Sequence, residues 1–237
     1  MPVNTNTKAH KTVMRLRLRS TTVDPAAVEF SPPPNMSDRP PPRPLCRSTR
    51  TSNSTEAMKP LTMTVNGNTI AFIGCNWFGA NWASDRLPGS ARCGKNSQYE
   101  LDLITAQIRE AKAKGYLVIA TIQYEEYYTY TATPNQKRDF QALRDAGAVV
   151  VNGSQGHHAQ GFNVNEKGFI HYGTGNLFFG DQFDVGAHQT FIDRHIFYDG
   201  DYLGVEIKTA YIDDYSQPRP MRPNERAALL KLLFSEK

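Results

Sequence analysis

Cysteine is scarce in this sequence: Cys46, Cys75 and Cys93 are the three in 237 residues, and no two form a C-x-x-C pair. That pattern indicates neither a disulfide framework nor a structural zinc site. A Cys75–Cys93 bridge is open to the chain in an oxidising compartment, but spacing alone does not call for it. Long apolar runs are missing too. No stretch approaches the roughly 20 apolar residues of a membrane helix, and Val118–Ile122 is short enough to read as a buried strand. Basic residues near the N-terminus are not followed by an apolar stretch, so no secretory signal is expected there. A dinucleotide fingerprint is absent as well, since Gly173-x-Gly175 lacks the third glycine and the helix that should follow.

The formal charge of +4 is unevenly spread. Residues 1–58 hold nine Lys and Arg against four acidic residues, a surplus of five, and the remainder sums to −1. The basic character therefore belongs to the N-terminal part, and nucleic acid is not an expected partner of the rest. The same segment holds nine of the fifteen prolines, including Pro32-Pro33-Pro34 and Pro40-Pro41-Pro42. With Ser, Thr, Arg and Asn filling most of it, it buries too little apolar area to offset its ordering entropy. It reads as a disordered arm, residues 1–58, with local polyproline II character. Arg15, Arg17 and Arg19 alternate with Leu16 and Leu18, which suits one short strand. Polyanion binding is the functional reading of this arm; a solvated tail is the plainer one.

From residue 59 to 237 the pattern is that of a single α/β domain. Val65-Asn66-Gly67-Asn68 carries the Asn-Gly signature of a tight hairpin, and Thr69–Cys75 follows as a buried strand. Residues 77–96, rich in Gly, Ser, Asn and Arg, read as a long surface loop. Ser97 and Glu100 form a capping-box pattern ahead of Leu101, Ile104, Ile108 and Ala111, predicting a helix over 98–114 closed by Gly115. Leu117–Ile122 is an apolar strand. Thr133-Pro134 opens a second helix whose inner stripe is Phe140, Leu143 and Ala146 and whose cap is Gly147. Ala148–Val151 is a third buried strand. Shorter strands are expected at 161–165, 169–172, 190–198 and 202–212, with a closing helix over 224–234 that turns Leu229, Leu230, Leu232 and Leu233 inward.

In such sheets functional groups collect beyond the C-terminal ends of the strands. Three segments qualify. Gln123-Tyr124-Glu125-Glu126-Tyr127-Tyr128 should be a loop after the second strand, with Glu125 and Glu126 as candidate general base or metal ligand and Tyr124, Tyr127, Tyr128 and Tyr130 as candidate lining of a sugar or peptide groove. Asn152 to Gln160 should be a loop after the third, where His157 and His158 are candidate metal ligands, although neighbours in a strand point to opposite faces. The last is Gly173-Thr174-Gly175-Asn176. Solvated polar loops and core packing are the plainer readings of all three.

Taken in order, these segments resemble the bacterial capsule-synthesis proteins of the CapA family. The resemblance is carried by Asn66-Gly67, Ile70–Gly74, Ile119–Gln123, Pro134-x-Gln136, Asp145-Ala146-Gly147-Ala148, Gly153 with His157 and Gln160, and Ile170 to Phe179. It implies an incomplete metallophosphoesterase-like layered sandwich, the second half of the family domain, with a sheet edge left exposed. It also implies a role in capsule or exopolymer biosynthesis of the poly-γ-glutamate type, with an anionic polymer or capsule-assembly proteins as partners and an extracytoplasmic or membrane-associated setting. A divalent metal such as manganese is the implied cofactor, with His157 as its ligand and Glu125 and Glu126 as catalytic groups. Gln123, Tyr124, Gln160 and Asn176 are the implied substrate-binding residues.

The departures bear on chemistry. Gln123 stands where the family pattern has the His of His-Trp-Gly, and Ser154 and Gln155 stand where it has two leading histidines. Neutral amides and one imidazole hold a divalent ion weakly, so a catalytically degraded member is expected. A metal-dependent hydrolase using Gln123, Glu126 and His157 is the first alternative, and a truncated product without independent function is the second.

Overall fold

The computed structural model describes residues 54–77, 91–95, 100–179, 184–213 and 216–234. The arm read over 1–58 lies outside these as far as residue 53, and so do Ser97, Gln98 and Tyr99. A one-turn helix α1, Ser54–Ala57, precedes the hairpin strands β1, Leu61–Val65, and β2, Asn68–Asn76. The turn between them has Asn66 at φ 49° and Gly67 at φ 79°, the doubly left-handed turn that an Asn-Gly pair favours. The chain continues through α2, Asp102–Ala113; β3, Leu117–Tyr127; α3, Pro134–Ala146; and β4, Val150–Gly156. β5, Phe162–Asn165, and β6, Gly168–His171, form a second hairpin.

These strands make one mixed sheet in the order β1-β2-β3-β4-β6-β5. β2, β3, β4 and β6 are parallel, and the antiparallel partners β1 and β5 close its two sides. Helices α2 and α3 supply the crossovers and cover one face. Ile104, Ile108, Phe140 and Leu143 pack there on Ala71, Ile73, Val118, Ala120, Ile122, Val151 and Ile170. A second, antiparallel sheet follows: β7, Gln189–Tyr198; β8, Asp201–Asp213; and β9, Gln217–Pro220. It meets the other face of the first sheet at β6, where His171 pairs with Asp193 and Phe169 meets the His195 ring. The closing helix α4, Pro223–Phe234, buries Leu229 against Ala159 and Phe191. The architecture is mixed α/β in layers, as the strand and helix order predicts. β1 leaves its edge unpaired among the described residues, with Leu61, Met63 and Val65 exposed.

Five sequence expectations need correction. The helix read over 98–114 begins at Asp102. Leu101 stands at its N-cap without a side-chain bond, and the Cys93 carbonyl accepts from the Leu103 and Ile104 amides. That carbonyl is held by a Cys75–Cys93 disulfide, Cα–Cα 5.1 Å, so the bridge not indicated by spacing is present. The loop read over 77–96 is therefore not all surface: Trp77 and Cys93 are buried. The strands read as ending at Ile122 and Val151 run on to Tyr127 and Gly156, so much of both expected loops is strand. Finally, Leu232 faces outward, half exposed, while Leu229 carries the helix contact.

Candidate functional site

The carboxyl ends of β3, β4 and β6 converge, and a cavity of about 440 Å³ opens there. It is lined by Glu126 and Tyr128 from the end of β3, by the stretch from Ser154 to His157 at the end of β4, and by Thr174, Gly175, Asn176 and Phe179 after β6. Two glycines make this convergence possible. A Cβ on Gly153 would lie 2.0 Å from the Tyr172 carbonyl oxygen and 2.6 Å from the Phe140 ring. Gly175 has φ 79°, and a side chain there would meet the Gln189 carbonyl at 2.4 Å.

His157 is the centre of the site. Its Nδ1 lies 3.0 Å from Asn176 Oδ1, and Asn176 donates its own amide to the Ala187 carbonyl at 3.2 Å. That second bond turns the amide oxygen toward the ring, so His157 Nδ1 is the donor in the pair. Nε2 lies 3.4 Å from Glu126 Oε1. The ring stacks on Tyr128, centroids 4.7 Å apart and 10° from parallel, and Phe179 lies at 5.1 Å. Tyr128 also donates its hydroxyl to Glu126 at 2.9 Å. His158 follows in the bend after β4 and makes a separate set of contacts. Its Nε2 meets the Asp184 carboxylate at 2.9 Å, and its ring packs on Gly186 and Tyr130. Burial works to raise the Asp184 carboxyl, but the Ala187 amide and His158 outweigh it and hold the group below the usual carboxylate range.

The other candidate residues fall in different places. Gln123 donates its amide to Gln155 Oε1 at 2.8 Å; Gln155 lines the cavity and Gln123 does not. Gln155 holds this position with φ 79°, a left-handed conformation that costs a non-glycine residue energy and marks many functional loops. Tyr124, read as groove lining, is fully buried: it stacks on Trp77 at 4.1 Å and donates to Asp139 at 2.6 Å. Burial, and next the bond to Asp139, push its hydroxyl far above the ordinary range. Glu125 does not line the cavity; burial, with the Asp139 charge second, raises its carboxyl.

Gln160, read as substrate-binding, is fully buried and taken up by the protein. It accepts from Gln136 at 2.9 Å, donates toward the Thr129 and Thr131 carbonyls, and receives His171 Nε2 at its own carbonyl. It positions loops around the site instead of contacting a ligand. Sequence reasoning missed Gln136, Asp139 and Asp184. Gln136 appears in the sequence only within the Pro134-x-Gln136 resemblance, whereas its side chain both closes a capping box with Thr133 and crosses to Gln160.

Among the described residues no group of three His, Cys, Asp or Glu side chains could hold a metal ion. Around His157 the further donors are one carboxylate, the three hydroxyls of Tyr128, Ser154 and Thr174, and neutral amides. A dinuclear hydrolytic centre needs several anionic or imidazole ligands from different loops, and this donor set does not fit one.

The same segments that build the cavity decide the relationship. Residues 50–181 match the bacterial capsule synthesis protein family PGA_cap. The chain belongs to this family. Over 138 residues it is 28% identical to the capsule biosynthesis protein CapA of Bacillus anthracis, covering 56% of this chain. It spans about a third of that relative's length, 32%. Among solved structures, a hypothetical protein from Thermus thermophilus aligns with TM-score 0.43 and 12% identity over 68% of this chain and 62% of its own. GAP50, the anchor in the inner membrane complex of Plasmodium, aligns with TM-score 0.30 and 10% identity over 74% and 59%. Likeness at these scores carries no inference about this PGA_cap chain.

Proposed function

We propose that this chain serves the biosynthesis of a capsule or related exopolymer as a polymer-handling member whose hydrolytic site is degraded. The observation that carries the reading is the donor set at the β3, β4 and β6 ends. One imidazole, His157, is left where the family pattern has several, and the Gln123–Gln155 amide pair occupies two of the lost positions. An amide pair joined by its own hydrogen bond offers a metal little, whereas it ties β3 to β4 and places Gln155 in the cavity lining. Family membership supplies the capsule role, and poly-γ-glutamate is the reference polymer that the CapA resemblance brings. The Cys75–Cys93 bond supports an oxidising, extracytoplasmic setting, since such bonds persist poorly in reducing compartments. No described helix is long and apolar enough to cross a membrane.

The opposing reading, a single-metal hydrolase, draws on the 3.4 Å approach of Glu126 to His157. Hydrolysis of bis-p-nitrophenyl phosphate with added manganese separates the two. The proposal expects no turnover above the metal blank, in the wild type and in His157→Ala alike. Turnover abolished by His157→Ala would overturn it. Deletion of the gene should lower cell-associated polymer, and an unchanged amount would contradict the capsule role.

A further inference from the structure

The cavity around His157 has a charge pattern at odds with a chain of carboxylates. Among the described residues no Lys or Arg lines it, and its formally charged lining group is a carboxylate, Glu126, whose side chain is 43% exposed. A polyanion entering here would meet a carboxylate with no Lys or Arg to offset it, which is an effective means of rejection. The remaining lining groups suit a different ligand. Tyr128 and Phe179 are 42% and 38% exposed, so aromatic surface is presented at the site. His157 touches both rings, and the lining also holds the hydroxyls of Ser154 and Thr174 and the Gln155 amide N–H groups that its bond to Gln123, made through Oε1, does not use.

We infer that this cavity binds a neutral, polyhydroxylated ring, a sugar unit of an exopolysaccharide, and discriminates against poly-γ-glutamate. A pyranose has apolar C–H faces that lie on aromatic rings and a rim of hydroxyls that both donate and accept. Glu126 accepts from a pair of adjacent hydroxyls, as a carboxylate with two oxygens can. Gln155 and the two hydroxyl side chains complete the rim. Asn176 acts through His157: with its amide divided between His157 and Ala187, it is a positioning residue that holds the imidazole flat against Tyr128. The left-handed Gln155 backbone fits the same purpose, since it aims an amide into the cavity at a conformational cost. A volume of about 440 Å³ accommodates a unit or two of such a chain.

The inference rests on the reading of this cavity as the polymer site. The test is calorimetric titration of the full chain with tetrasaccharides of glucose, galactose, mannose and N-acetylglucosamine, and separately with poly-γ-glutamate. At least one neutral tetrasaccharide should bind, and Tyr128→Ala should weaken it about tenfold, the scale of one lost aromatic contact. Phe179→Ala provides a second variant should Tyr128→Ala fail to fold. Binding of poly-γ-glutamate that either variant weakens would overturn the neutral-ligand inference and leave the cavity as the polymer site. No binding of any probe, or binding that neither variant alters, would overturn the inference and the placement of the polymer site together.

Discussion

Gln136 on α3 donates its side-chain amide to Gln160 Oε1 at 2.9 Å and to the Tyr172 carbonyl at 2.8 Å. Through this pair the helix, the exit loop of β4 and the exit loop of β6 are fastened to one another. Gln160 extends the network to the segment after β3 through Thr129 and Thr131. The site is thus built on a buried amide network, and the cavity lining is arranged on top of it.

Such a network is valuable only while every member is satisfied. Gln160→Ala would leave the buried Gln136 amide with one of its two partners, the Tyr172 carbonyl, while the carbonyls of the exposed Thr129 and Thr131 turn to water. Loss of about 1 to 3 kcal/mol is expected, the usual cost of one orphaned polar group. Urea unfolding checks this; a variant as stable as the wild type would show that water replaces the amide without penalty.

The Tyr124–Asp139 bond gives a second prediction. Asp139 is buried and accepts from Tyr124 and from Arg138, whose own side chain is mostly exposed. Tyr124→Phe keeps the stacking on Trp77 and removes one donor from a buried carboxylate, so a loss of about 1 to 3 kcal/mol is expected. Asp139→Asn placed in the same chain should recover part of it. A double variant weaker than Tyr124→Phe by the full cost of Asp139→Asn alone would show that the two groups are uncoupled.

The Cys75–Cys93 bond fixes the carbonyl that caps α2, so its loss should act beyond loop entropy. Closing a loop with sequence separation 18 is worth about 3 kcal/mol. The Cys75→Ser, Cys93→Ser double variant should melt lower, and peptide mapping without reduction should recover the two cysteines linked. Unlinked peptides together with an unchanged Tm would contradict the bond.

His195 gives the pH dependence. Burial holds its imidazole below the ordinary value of 6.5, reinforced by His171 and opposed in part by Asp193. An unfolded chain takes up a proton near that value while the folded chain does not, so the unfolded state binds more protons. Stability from this group is full above about 6.5 and is lost as pH falls toward the lower folded value. Tm should drop between neutral and mildly acidic pH, and His195→Gln should flatten that part of the profile. Parallel profiles for the two proteins would exclude His195 as the cause.

Much of the fold was legible because short-range chemistry governs it. Asn66-Gly67 dictates its turn, Thr133-Pro134 opens α3, and the apolar stretches of β2, β3 and β4 mark a parallel core. The errors arose where tertiary contacts override local signals. Gln123 to Tyr127 and Asn152 to Gly156 are polar enough to read as loop, yet backbone pairing continues through Gln123 and Ser154 and again at Tyr127 and Gly156. The start of α2 was misplaced because its cap is a carbonyl from a distant cysteine, which no local pattern encodes. In the site, His157 and Asn176 were visible as residues, but the bond between them crosses two loops. Gln160 and Tyr124 are polar residues in motif positions, and only packing shows that they face inward.

On the proposed reading, the donor set around His157 is too weak to hold a hydrolytic metal centre. Calorimetric titration of the metal-stripped protein with manganese decides this. No saturation is expected below roughly millimolar metal, since the site offers one imidazole, one carboxylate and neutral oxygens. Tight, stoichiometric uptake that disappears in His157→Ala would contradict it.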